Sequence, residues 1–135
     1  SMELADKVRA AKRVYLCGNG GSYANAVHIC NDLLACGIKA YTLDPATLTA
    51  MANDFGYEHI FSKWLATVGE KGDLLIALSG SGKSRNILNA LAMADEVGME
   101  SVLISDYLQT MDMQRSEEYQ LEIGHEVMRC LRQKN

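Results

Sequence analysis

Two short loops carry the residue types that could bind and transform a small anion. Cys17-Gly18-Asn19-Gly20-Gly21-Ser22 places three glycines in four positions, which lets the backbone approach a ligand closely. Ser79-Gly80-Ser81-Gly82-Lys83-Ser84 offers three hydroxyls, free amides ahead of a helix and a cation, which together make an anion cradle. Nucleotide readings of both loops fail on single residues. A dinucleotide turn, GxGxxG, needs glycine where Tyr23 stands, and a Walker A loop needs glycine where Ala77 stands. With no aromatic-flanked base pocket in either motif, the expected ligand is a phosphorylated sugar, and no nucleotide cofactor is expected.

Two helical segments add acid–base and metal-binding types. In the segment after the first loop, Val27, Cys30, Leu33 and Leu34 form the expected core stripe. His28 and Asp32, spaced i and i+4, then share the opposite face, with Ala24, Asn31 and Ala35 around them. Alone, such a pair is commonly a solvated contact worth a few tenths of a kcal/mol. In the last segment Tyr119, Ile123, Val127 and Cys130 form the expected stripe, which leaves Glu117, Glu118, Glu122, His125 and Arg129 off it. A histidine and a carboxylate on each of two helices suit a divalent ion, with zinc, iron, nickel and manganese all allowed.

These groups need a frame that brings loops to strand ends and helices to their flanks. Strand-like runs at Arg13 to Cys17, Lys39 to Leu43, Asp73 to Leu78 and Ser101 to Ser105 alternate with segments of helical period. Those segments are Glu3 to Lys12, Ser22 to Cys36, Ala46 to Asn53, Tyr57 to Val68, Ser84 to Val97 and Ser116 to Arg132. Alternation of this kind predicts an α/β fold with a parallel sheet, and ligands there bind beyond the carboxyl ends of the strands. Gly37, Gly69 and Gly98 stand where helices stop in a left-handed conformation. The segment from Asp106 to Arg115 has no clear period.

Composition narrows the function classes. The 135 residues are 48% apolar and 22% charged, the profile of one domain spanning 1–135. Thirteen Lys and Arg against seventeen Asp and Glu give a net charge of −4, so neither nucleic acid nor an anionic membrane is an expected partner. No apolar run approaches a membrane span or a signal-peptide core, so the expected location is cytoplasmic. The four cysteines form no CxxC pair and read as reduced core residues.

In these residues the sequence resembles the sugar isomerase (SIS) domain family, with the phosphoheptose isomerases as its nearest branch. The matching segments are Cys17 to Ser22, Ala26-Val27-His28 with an acid four residues on, and Ala52-Asn53-Asp54-Phe55-Gly56 followed by Ile60-Phe61. Gly72-Asp73 leading to Ser79 through Ser84, and Gly124-His125, complete them. The resemblance implies a three-layer, doubly wound parallel sheet and an isomerase interconverting sedoheptulose 7-phosphate and glycero-manno-heptose 7-phosphate. It implies substrate contacts at Asn19, Gly20, Gly21, Asn53, Asp54, Ser79, Gly80, Ser81 and Ser84, with Ser22 and Glu117 beside them. It implies a divalent metal, zinc, on His28, Asp32 and His125, joined by Glu117. The chain departs from the family where Asp32 replaces Glu and where Glu117 replaces Gln. It departs also in a shorter N-terminal helix and in a stretch between Ser105 and Ser116 too short for the family's final strand.

Aldose–ketose isomerisation passes through an enediolate, so it needs a base near the carbon acid, an acid near the oxygens and stabilisation of developing charge. Asp32 is the expected base and His125 its partner, with a divalent ion as the Lewis acid. Because His28 and Asp32 project away from the expected stripe of their own helix, a neighbouring subunit is expected to close the site, in a homo-oligomeric dimer or tetramer. The alternative is a sensor that binds a sugar phosphate without chemistry.

Overall fold

A computed structural model describes residues 2–105 and 112–133. Four strands, β1 (Val14–Gly18), β2 (Ala40–Thr42), β3 (Leu74–Leu78) and β4 (Glu100–Ile104), form a parallel sheet in the order β2-β1-β3-β4. β1 and β3 are buried along their whole length, because parallel strands covered on both faces have no solvent side to alternate toward. Each lies within a residue or so of the expected run, and the α/β class stands.

The helices are α1 (Met2–Ala10), α2 (Gly21–Ala35), α3 (Pro45–Phe55), α4 (Ile60–Val68), α5 (Arg85–Glu96) and α6 (Met113–Gln133). They bury two apolar layers, one on each side of the sheet. On one side α1, α2 and α6 cover Val14, Leu16, Leu74, Ile76 and Leu78; on the other α4 and α5 cover Tyr15, Cys17, Leu75 and Ala77. The fold is therefore the expected three-layer doubly wound sheet. Local chemistry sets several ends. Asp44 caps α3 by accepting from the amides of Ala46 (3.0 Å) and Thr47 (3.2 Å), with Pro45 at the first helical position. The expected helix from Tyr57 divides, with a single 3₁₀ turn (Tyr57–His59) preceding α4. The unread segment falls mainly on 106–111, outside the described residues, as does the stretch expected to be too short for a final strand; α6 begins three residues before the expected Ser116.

Three expectations need correction. Gly69 does not adopt the left-handed stop seen at Gly37 and Gly98; its φ is −75°. Glycine is required there for space instead, since a Cβ would meet Leu65 O and Met99 Sδ, each at 2.7 Å. The core stripe of α2 runs through Ala26, Ile29, Cys30 and Leu33, while Val27 and Leu34 are 43% and 54% exposed. On α6 the buried line is Ser116, Gln120, Gly124, Val127 and Leu131, rotated from the expected Tyr119, Ile123 and Cys130. α6 packs on α2 and α1, so Tyr119 and Ile123 line a shallow groove with Leu4, Val102 and Ile104, and the smaller residues face α2. Gly124 makes that approach possible, because a Cβ there would meet Ile29 Cγ1 at 2.5 Å.

Candidate functional site

The parallel register pairs Gly18 of β1 with Leu78 of β3, so the glycine-rich loop and the serine loop leave the sheet side by side. At the boundary between these strands the connections diverge to opposite faces, which opens a crevice. A cavity of about 90 Å³ occupies it, lined by Asn19 and Ser22 from the first loop, Ser79, Gly80, Ser81 and Ser84 from the second, and Met113 and Glu117 from α6. The serine loop holds its own shape. Ser79 Oγ accepts from the Gly82 amide at 3.0 Å and Ser81 Oγ from the Lys83 amide at 3.1 Å. Ser84 stands at the N-cap of α5, yet its hydroxyl caps no amide. Gly20 turns the other loop into α2 with a φ of 55°, a conformation that a side chain would strain. Gly21 carries no side chain because the Glu117 carboxylate fills the space its Cβ would take.

Hydrogen bonds to side chains that the sequence reading missed fix this pocket. Asn19 and Asn86 exchange amide hydrogen bonds in both directions at 2.9 Å, and Tyr57 Oη donates to Asn19 Oδ1 at 2.8 Å. On the other wall Gln120, fully buried, donates to Ser22 Oγ at 3.0 Å and accepts from Asn25, which also donates to the Glu117 carbonyl. The available signal was the i, i+4 series of uncharged residues Ser116, Gln120 and Gly124, a polar line at a core spacing. Asn53 and Asp54 sit exposed at the end of α3, hydrogen-bonded to each other at 3.2 Å, and do not line the cavity. Cys17, just before the loop, has its thiol pushed up to about 12 by burial, which rules it out as a nucleophile at neutral pH.

The close approach of α2 and α6 produces a second constellation. His28 Nε2 and His125 Nε2 are 3.2 Å apart, and Asp32 Oδ2 lies 3.5 Å from the first and 3.6 Å from the second. Asp32 Oδ2 is buried with no hydrogen-bond partner among the described residues, a costly state for a carboxylate oxygen unless a cation serves it. One ligand atom from each residue lies within 4.8 Å of the others. Two imidazole nitrogens and a carboxylate oxygen around one point suit a borderline divalent ion, so the residues fit the metal that the sequence implied. α6 of the same chain brings His125 against His28 and Asp32, and the two histidine side chains remain 50% and 41% exposed, open to a further surface. Glu117 stays apart from this group. It precedes His125 by eight residues, roughly 12 Å along a helix axis, and its carboxylate lies over Gly21 at the pocket.

Residues 1–105 match the model of the SIS domain, and that match places the chain. The chain belongs to the SIS domain family. This SIS domain is 41% identical over 108 residues to the phosphoheptose isomerase of Akkermansia muciniphila, a stretch covering 74% of this chain and 57% of that protein. The phosphoheptose isomerase of Histophilus somni is 38% identical over 109 residues, 76% of this chain and 56% of that protein. The chain thus spans little more than half the length of these curated relatives. The solved phosphoheptose isomerase of Neisseria gonorrhoeae superposes with a TM-score of 0.86 at 26% identity, covering 98% of this chain and 83% of that one. That of Francisella tularensis gives 0.86 at 28% identity, covering 97% and 83%.

Proposed function

We propose that this SIS domain, acting as one unit over 1–135, is an aldose–ketose isomerase of a phosphorylated sugar, with sedoheptulose 7-phosphate and glycero-manno-heptose 7-phosphate as its substrate pair. The observation that carries the reading is the joining of an anion-binding loop pocket to a metal-fitting cluster along the α2–α6 seam of one chain. The similarity to phosphoheptose isomerases supplies the substrate class.

Ser79, Ser81 and Ser84 bind the phosphate, and the amides entering α5 favour its charge. Asn19, Gly20, Gly21 and Ser22 let the carbon chain lie close to the backbone, and Glu117 faces it from α6. Asn53 and Asp54, which lie away from the cavity, serve the substrate only if the end of α3 closes toward it. His28, Asp32 and His125 would hold a divalent ion, zinc, which when bound supplies Lewis-acid polarisation of the substrate oxygens. Asp32 takes the proton from the carbon beside the carbonyl, with Oδ1 as the acceptor atom because Oδ2 faces the two histidines. His125 is its partner on the oxygen side. Phosphate binding energy holds the reacting carbons against Asp32, which matters more because Asp is one methylene shorter than Glu.

The chain works as a homo-oligomer in the cytoplasm. An exposed line on α2 through Ala24, Val27, Asn31 and Leu34 supports self-association, and among the described residues no helix is long and apolar enough to cross a membrane. A clean monomer at micromolar concentration in sedimentation would contradict the oligomer. Exchange of the substrate's carbon-bound proton with solvent deuterium tests the chemistry, since it reports enediolate formation alone. Zinc-loaded chain should exchange the proton beside the carbonyl of sedoheptulose 7-phosphate. Tight binding without exchange under any common divalent ion favours a sensor instead.

A further inference from the structure

One polar group buried just behind the pocket wall, against Gly80, has no role so far. Ser116 is 2% exposed, and among the described residues its Oγ has no hydrogen-bond partner. A buried hydroxyl left unmade is destabilising, so its retention needs a reason outside the fold of the chain alone. Its neighbours on α6 indicate where it faces. Met113, one turn before it, and Glu117, next to it, both line the phosphate pocket; Gln120, one turn after it, donates to Ser22 on the same pocket. Across from it stands Gly80, between Ser79 and Ser81 of the serine loop. A Cβ at Gly80 would meet Ser116 Oγ at 2.9 Å and Met113 Sδ at 3.0 Å. A side chain at 80 would therefore wedge between the loop and α6, and glycine keeps the hydroxyl against the loop.

We propose that Ser116 is a further ligand of the phosphate site, donating its Oγ–H to a phosphoryl oxygen held by Ser79, Ser81 and Ser84. The inference rests on the phosphate-anchor reading above and extends it to α6. Met113 is exposed and unbranched, so its thioether can swing aside as the anion engages Ser116. Because His125 is carried by the same helix, a phosphate on Ser116 also ties the α6 end of the metal-fitting cluster to occupancy of the serine loop.

Calorimetric titration of wild type and Ser116→Ala, with sedoheptulose 7-phosphate and with inorganic phosphate, tests the assignment. Alanine favours the helix and removes the unpaired hydroxyl, so the variant should fold with an equal or higher Tm in the absence of ligand. Its affinity for both phosphates should fall about tenfold or more, the range for one hydrogen bond to a charged group, with zinc affinity unchanged. Unaltered affinity for both ligands overturns the role of Ser116 while leaving the serine-loop anchor standing. A ligand-free Tm several degrees lower also overturns it, because the hydroxyl would then have a partner within the fold. Failure of wild type to bind either phosphate overturns the anchor reading, and the assignment with it.

Discussion

The strand-end pocket is assembled mostly from backbone and short side chains at the ends of two neighbouring strands, and its position follows from the pairing of Gly18 with Leu78. The histidine–aspartate cluster is assembled from side chains on α2 and α6, and its position follows from how closely those helices pack at Gly124. Sheet register tolerates surface change but not rearrangement of the chain. A cluster across a helix pair is lost when the spacing grows by an ångström or two. The two regions should therefore fail separately, and substitutions can set one against the other.

Ser84→Glu carries the largest expected effect. It places a carboxylate at the proposed phosphate anchor, so sugar-phosphate stabilisation in a thermal shift should vanish while zinc binding persists; wild-type stabilisation in the variant would remove the serine loop as anchor. His125→Ala is the opposite cut. Proton exchange should fall by on the order of 10² or more with phosphate binding intact, as loss of an acid–base group does. Exchange near the wild-type rate would exclude His125 from the chemistry. Gly124→Val attacks the spacing itself by driving a branched side chain into Ile29. Stability should fall by about 2 kcal/mol in denaturant unfolding, and zinc affinity should fall more than phosphate affinity. An equal loss of both would show that the two regions are one cooperative unit. The smallest effect belongs to Gln120→Leu, which takes the donor from Ser22 Oγ while Asn25 keeps the Glu117 carbonyl, at about 1 kcal/mol. Phosphate affinity should weaken more than zinc affinity there, the reverse of Gly124→Val.

The same contrast explains what the sequence revealed. Strand runs and glycine-rich turns announce a strand-end pocket because backbone geometry and residue type are tightly linked there. Asn19, Ser79, Ser81 and Ser84 were legible for that reason. Helix faces are less legible, because a stripe of Tyr119 and Ile123 looks like core whether it meets the sheet or an outer groove. The buried face of α6 instead carries Gln120 and Gly124, which pattern reading counts as polar or breaking. His28, Asp32 and His125 were singled out because their types narrow the chemistry and the resemblance groups them, and the α2–α6 packing brings them together. Glu117, which the resemblance gave both to the metal and to the substrate, stands at the pocket, a placement that only the three-dimensional path of α6 decides. Asn86 and Tyr57 were unreadable, because their role depends on which loop Asn19 faces.

The central claim is that the two regions handle opposite ends of one ligand. A crystal of the full chain soaked with zinc and sedoheptulose 7-phosphate, with anomalous data recorded at the zinc edge, tests it most directly. The account predicts zinc on Nε2 of His28 and His125 and on Oδ2 of Asp32 within a single chain, phosphate on Ser79, Ser81 and Ser84, and the carbonyl end of the sugar directed to the metal. Zinc on other residues, or a bound sugar whose carbonyl end points away from Asp32, would contradict it.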